Sequence, residues 1–481
     1  MPQFYRKYSI AYLAILILSF TLQAQRNTEL RFASLVDERR LQQTVVDLVA
    51  MGNRMAGTRS GQQSATYLVR TFKSFGLRVD TLREPSRPTF EALNWELKIV
   101  APRRLSGLIQ HDWLGGFSPS LRRTTARIVA PQDLAGIEKS LVKDAVVLVK
   151  GQATKEMYDR IVGAGGVAIM AHTVVQSSAY SGWAMLQSLP ESKSNPIPLY
   201  LISNSAATRL RTEIERGNSI RIRFAARTKI STGRPISVLA TIPGKSDEYV
   251  IVCAHGDSDS GGPGADDNAS GVAGVVELSR VLHHLLAKAE IDTPSVGIKF
   301  IVWGREYSSA ENYVRRNAHE LKHLRAVINY DEIGTGRTRN CLYFEGNDIS
   351  INEKILRTFN DMAEEYVGKR GFWKEATTNP SQDGTDSYVF LPKYLRRLDV
   401  AGIEIPSVTV FTAAWNEPKT VSQTTGWSSK AWKGHPDSVT IDYSMYYHSS
   451  LDIPNLTTSK EPFNMAWAVK AVGIVLLRLA W

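Results

Sequence analysis

The feature that most restricts the fold is a unit repeated through the second half of the chain: a short, mostly apolar run that stops at a polar cluster. Tyr249–Ala254 stops at His255, Val296–Trp303 stops just before Arg305-Glu306, Ala326–Tyr330 stops at Asp331, and Val408–Phe411 repeats the pattern. Strands buried on both faces read as continuous hydrophobic runs, because helices cover both sides of their sheet. Helical patterns at Ser270–Leu286 and Pro462–Leu477 alternate with these runs. The pattern predicts an α/β fold, a mixed sheet flanked by helices.

Ahead of that region, Val36–Phe75 predicts two helices around the turn-rich loop Gly52–Thr58, followed by a strand at Leu77–Leu82. From Ala126 to Ala226 the character changes. Short apolar runs at Ala145–Val149, Gly166–Met170, Leu199–Ile202 and Ile220–Phe224 alternate with helical patterns, which predicts a smaller α/β domain inserted into the larger one. The expected division is a leader over 1–24, an N-terminal part of the main domain over 25–125, the insert over 126–228 and the rest of the main domain over 229–481.

The leader is read from Arg6 and Lys7, the apolar run Ile10–Leu22 and a small residue, Ala24, at the expected cut. It predicts a secreted, periplasmic or cell-envelope protein with no stable membrane insertion after cleavage. Two cysteines, Cys253 and Cys341, provide no disulfide framework, and Cys253 lies inside an apolar run as a buried thiol would. The net charge of +11 is scattered rather than gathered into an aromatic-interleaved stripe, so nucleic acid is not an expected partner.

The chemistry gathers at the ends of the apolar runs. His255-Gly256-Asp257 opens a Gly-rich segment that continues to Gly264-Ala265-Asp266-Asp267-Asn268-Ala269-Ser270-Gly271. A histidine and several carboxylates on such a turn suit a divalent metal, zinc above all, and Asp257 stands where it can orient the His255 ring. Glu306, Asp331, the segment Gly384-Thr385-Asp386 and Tyr447-His448 through Asp452 add further candidates in chain order.

In this order the motifs resemble the M28 family of zinc peptidases, and the insert looks like the protease-associated domain of several of its branches. The resemblance implies a zinc exopeptidase acting on peptide substrates, with two zinc ions. His255 and Asp331 would hold one ion and His448 the other. Asp266 would bridge them, with a cis peptide to Asp267. Glu306 would be the general base and Asp257 its supporting catalytic partner. The chain departs from the family at the Glu-Glu pair, where Arg305-Glu306-Tyr307 stands. In the gap-free register Glu306 keeps the base position, Tyr307 replaces a ligand and only one ion has its full set. In a register shifted by one residue Glu306 is the ligand and Arg305 falls at the base, a role that its permanently protonated guanidinium cannot fill. The first register is favoured, because the strand before it fixes the count. Two other readings stay open: a weakly active relative that binds peptides or partners, and a different metal-dependent hydrolase on the same fold.

Overall fold

A computed structural model describes residues 23–132, 138–172, 187–258, 262–336, 340–346, 350–374, 376–379, 385–412 and 446–481. The proposed leader up to Leu22, and the stretch holding Trp415, Trp427, Trp432 and His435, lie outside the described residues. Strands are numbered along the chain. The larger sheet contains β1 (Arg78–Arg83), β9 (Ile236–Ile242), β10 (Tyr249–His255), β11 (Gly297–Trp303), β12 (Leu324–Tyr330), β13 (Leu342–Glu345), β14 (Ala376–Asn379) and β15 (Ser407–Phe411). Its order is β1-β9-β11-β10-β12-β15-β13-β14. The central strands β11, β10, β12 and β15 are parallel, β9 pairs antiparallel with both β1 and β11, and β13 is antiparallel to β15 but parallel to β14, so the sheet is mixed as expected.

Every residue of β10 is buried, and its alternate side chains serve different layers. Val250, Val252 and Ala254 pack with the Gly271–Ala287 and Phe463–Ala480 helices. Tyr249, Ile251 and Cys253 pack with the Ser308–Arg316 and Pro392–Arg397 helices. The period of two along a strand makes this division, and it explains why the run lacks polar residues. Cys253 and Cys341 are both buried free thiols. The Phe463–Ala480 helix is apolar over most of its surface, Lys470 and Arg478 apart, because the core surrounds most of it.

The smaller sheet contains β2 (Arg87–Ala101), β3 (Trp113–Leu114), β4 (Leu121–Val129), β5 (Ala145–Leu148), β6 (Ala168–Ala171), β7 (Leu199–Leu201) and β8 (Arg221–Gly233), in the order β2-β8-β4-β5-β6-β7-β3. It encloses a core of its own. This sheet begins at Arg87, so the boundary expected at 126 falls inside it and not at its start. The physical reason is β2, a half-exposed ribbon strand with charged residues throughout, whose partner β8 follows more than a hundred residues later.

The helix over 23–35 is tied to the opposite end of the chain. Glu29, 2% exposed, accepts from Arg478 Nε at 2.8 Å and Nη2 at 2.9 Å and from the Tyr366 hydroxyl at 2.7 Å. Removing one partner of a buried pair leaves the other charge without compensation. Arg478→Met is therefore expected to lower the unfolding free energy by about 3–5 kcal/mol, and adding Glu29→Gln to restore part of it. Urea denaturation followed by tryptophan fluorescence measures both.

Candidate metal centre

Parallel pairing brings the C-terminal ends of β10, β11 and β12 to one edge of the larger sheet, the edge where α/β proteins place their ligands. His255 is the last residue of β10, Glu306 follows β11, and Asp331 follows β12. Residues 262–270 lead from this edge into the Gly271–Ala287 helix. Gly264 makes that path possible: its φ is +56°, and a Cβ there would sit 2.3 Å from the Asp267 carbonyl oxygen.

Three side chains converge on one point. His255 Nε2 lies 3.3 Å from Asp267 Oδ1 and 3.5 Å from Asp331 Oδ1, and the donor atoms of the three residues all lie within 4.8 Å of one another. Asp331 Oδ1 is buried and has no hydrogen-bond partner, the state of an atom shaped to meet a cation. One imidazole nitrogen and two carboxylate oxygens fit zinc. The other ring nitrogen, Nδ1, meets Asp257 Oδ1 at 3.2 Å and the Asp257 carbonyl at 3.1 Å, and this fixes the ring. His448 approaches from the far side, its Nε2 2.9 Å from Asp267 Oδ2.

Asp267 therefore bridges the two histidines, and the expected assignment to Asp266 is corrected by one residue. The Asp266 carboxylate turns away and accepts from the Gly334 amide at 2.6 Å and from the Thr335 hydroxyl. The non-proline cis peptide likewise lies at Asp267-Asn268, not at Asp266-Asp267. The two neighbours differ in electrostatics. Burial, with Asp452 close by, pushes the Asp266 carboxyl well above the usual range. Burial would raise Asp267 too, but His255 and His448 outweigh it and hold this carboxylate well below that range. For His255 the balance is similar. Burial favours the neutral ring, yet Asp257, Asp267 and the nearby Asp331 carboxylate carry it well above its ordinary value.

A shell of buried groups holds these side chains. Asp452 accepts the amides of Asp266 and Asp267 at 2.9 and 3.0 Å. Thr385 donates to Asp331 Oδ2 at 2.6 Å and accepts from Asn329 at 2.8 Å. Arg54, 1% exposed, spends its fork on three carbonyls of the loop, those of Gly256 (3.2 Å), Pro263 (2.8 Å) and Gly264 (2.6 Å). Burial brings its pKa down to about 10, so it is charged at neutral pH and offsets Asp452, Asp257 and Asp267 nearby.

This geometry sits inside a region, residues 237–472, that matches the description of peptidase family M28. Over that region the chain resembles peptidase family M28. An aminopeptidase of Pseudomonas aeruginosa is 34% identical over 150 residues, 29% of this chain and 26% of that one. A probable lipoprotein aminopeptidase of Mycobacterium tuberculosis is 27% identical over 300 residues, 59% of this chain and 55% of that one. The chain thus spans about a quarter to a half of the length of these relatives. Two solved structures share the fold at low identity. An M28 peptidase precursor of Shewanella amazonensis has TM-score 0.65 at 17% identity, covering 94% of this chain and 96% of that one. BSAP, a zinc aminopeptidase of Bacillus subtilis, has TM-score 0.58 at 18% identity, covering 92% and 95%.

The altered M28 pair, Arg305-Glu306-Tyr307, is placed unevenly. All three residues line a cleft of about 300 Å³ together with His255, Asp257 and Asp267. The Glu306 amide donates to Asp257 Oδ1 at 3.0 Å and the Tyr307 amide to Asp386 Oδ1 at 2.8 Å. Burial, with Asp386, Asp331 and Asp267 around it, raises Glu306 to about 10 although His255 opposes the rise. His448 meets Asp267, but among the described residues no third histidine, cysteine or acidic donor joins that pair closely. Two residues that motif reading leaves aside also belong to the site: Arg54, from the early turn-rich loop, and Glu332, which is buried with Oε2 unpaired. Tyr447, read in one motif with His448, stacks on it with ring centroids 3.6 Å apart. An acid next to a suspected ligand is the one signal that could have pointed to Glu332.

Two outcomes follow. Asp267→Asn should abolish retention of divalent metal, whereas Asp266→Asn, which replaces a carboxyl already favouring its neutral form, should keep it; elemental analysis of the purified variants distinguishes them. The pH dependence of metal-free stability is the second. Burial first, then Asp331 and Asp257, lifts Asp386 to about 7 against the opposing His255, so between about pH 4 and 7 the folded protein holds a proton that the unfolded chain releases. Glu306 extends the same sign upward, and His255 adds to it once pH rises past its ordinary value. Each such group costs about 1.4 kcal/mol per pH unit across its window. Chelator-treated protein should melt at a lower temperature at pH 8 than at pH 5.5. Added zinc should raise the melting temperature more at pH 8, because the ligands bind it deprotonated.

Proposed function

We propose that the protein is an exported zinc exopeptidase that removes N-terminal residues from peptides. The observation that carries this reading is the His255–Asp267–Asp331 group, with its unpaired buried oxygen, opening on the same cleft as Glu306. These three residues would hold one zinc ion, and His448 with Asp267 would offer a second, less complete place. Bound there, zinc would acidify a water and polarise the scissile carbonyl.

The chain's own groups do the rest. Glu306 takes the proton of the attacking water and passes it to the departing amine, the work of a general base turned acid. Without a counter-charge its environment favours the protonated form; a cation at the neighbouring cluster favours the carboxylate. Asp257 holds the His255 ring and, through the Glu306 amide, the base beside it. The carboxylate-rich wall suits a free N-terminal amine. The basic and apolar leader supports export to the periplasm, the cell envelope or the medium. The smaller sheet, with helices on its faces, is read as a protease-associated domain.

One observation favours a second reading, in which the protein binds peptides with little turnover: Arg305-Glu306-Tyr307 stands where the family has its Glu-Glu pair. Glu306→Gln separates the two. In a working peptidase it should keep its zinc and lose about 10²- to 10⁴-fold in kcat on aminoacyl substrates. Zinc-loaded wild-type protein that leaves a panel of aminoacyl and dipeptide substrates intact would favour the binding reading.

A further inference from the structure

The cleft is lined by two charged groups, and nothing in the proposed chemistry uses the basic one. The first is the acidic centre. The second contains Arg87 from β2, Arg305 from the turn after β11, and Glu191 from the loop ahead of β7. Arg87 Nη2 donates to both oxygens of Glu191, at 3.0 and 3.1 Å, and its Nη1 reaches Ser308 Oγ at 3.4 Å. Arg305 meets the same carboxylate through Nη1 at 3.2 Å, and the rest of its fork makes no hydrogen bond among the described residues. Two guanidiniums thus share one carboxylate, which leaves a net positive charge facing the cleft. All three side chains keep part of their surface exposed, so their ion pairs are weak and yield readily to a competing anion. A planar guanidinium with free donors is suited to a carboxylate.

We propose that Arg305, supported by Arg87, binds a carboxylate of the substrate on the leaving side of the scissile bond. Resting on the peptidase reading, this names the substrate class. The enzyme prefers short peptides with a free amine at one end of the cleft and a carboxylate about one residue beyond the cleaved bond. That carboxylate is either the C-terminus of a dipeptide or an acidic side chain.

The test compares matched pairs on zinc-loaded protein. Ala-Leu against Ala-Leu-amide reads the C-terminal source, and Ala-Asp-amide against Ala-Asn-amide reads the side-chain source. The wild type should prefer the charged member of at least one pair by about ten- to hundredfold in kcat/KM, the worth of a charge-assisted hydrogen bond. Arg305→Ala should bring that ratio near one whatever its absolute rate, and Arg305→Lys should keep part of it. Ratios near one in the wild type, or a ratio unchanged in Arg305→Ala, overturn the proposal. Calorimetric binding of a dipeptide with a reduced peptide bond, and of its C-terminal amide, separates this from failure of the peptidase reading. The same measurement compares reduced-bond analogues of Ala-Asp-amide and Ala-Asn-amide. Tighter binding of the charged member of either pair without any turnover sustains the subsite and defeats the hydrolase; equal binding in both pairs defeats the subsite.

Discussion

Gathering carboxylates in a buried place is the constraint on which the rest of this structure depends. Asp266, Asp267, Asp331, Glu332, Asp386 and Asp452 are all nearly inaccessible to water and lie around the ends of three adjacent strands. In a low-dielectric interior such charges repel strongly unless they are neutralised, hydrogen-bonded or paired with cations. The protein uses each remedy. Asp266 is pushed toward its neutral form, Asp452 and Asp331 are satisfied by amides and a hydroxyl, and Asp267 is flanked by two histidines. Arg54 supplies a permanent positive charge while holding the loop through its carbonyls. Among what is left over, Asp331 Oδ1 and the carboxyl of Glu306 in the cleft are where the proposed cation and substrate would act.

The sheet was legible because its strands are unusual in being apolar on both faces; β10, β11, β12 and β15 stand almost where the runs predict them. The short strands β13 and β14 and the ribbon strand β2 were not, since nothing local distinguishes them. Their identity comes from partners far along the chain, and for β2 this moved the insert boundary by roughly forty residues. In the site, His255, Asp331 and His448 could be read from motifs; the first two converge, and His448 reaches the same Asp267 from its other side. Asp266 and Asp267 could not be told apart by chemistry, because both are acids on the same turn. The tertiary contacts of Gly334 and Thr335 claim the first and leave the second to the histidines. Arg54 was invisible for a related reason: its partners are backbone carbonyls, which leave no mark on residue identity.

Backbone strain follows the same geography. Tyr307, Glu332 and His448 all have positive φ, at 53°, 48° and 47°. None is glycine, and each such conformation costs of order 1–3 kcal/mol unless its surroundings impose it. Tyr307 is held by its amide bond to Asp386 and His448 by Asp267 and the Tyr447 ring. The turns that aim side chains into the cleft thus draw on stability supplied by the sheet beneath them.

The smaller sheet leaves the larger one through a single doorway. Arg83 at the end of β1 is the register partner of Ile236 at the start of β9, and the Glu84 amide donates to the Pro235 carbonyl at 3.0 Å. The intervening chain goes out along β2 and returns along β8, paired almost from end to end. Without it, β1 and β9 would be adjacent strands of an ordinary hairpin, and the eight-stranded sheet would keep its order. Topologically, then, the insert is an elaborated hairpin loop, a kind of position at which a lineage can exchange, enlarge or lose a module without rewiring the sheet. Because that module brings Arg87, Phe117 and Glu191 to the cleft while Arg305 and the acidic centre belong to the other part, the surroundings of Arg305 can change on a genetic segment separate from the one that carries the proposed hydrolytic chemistry.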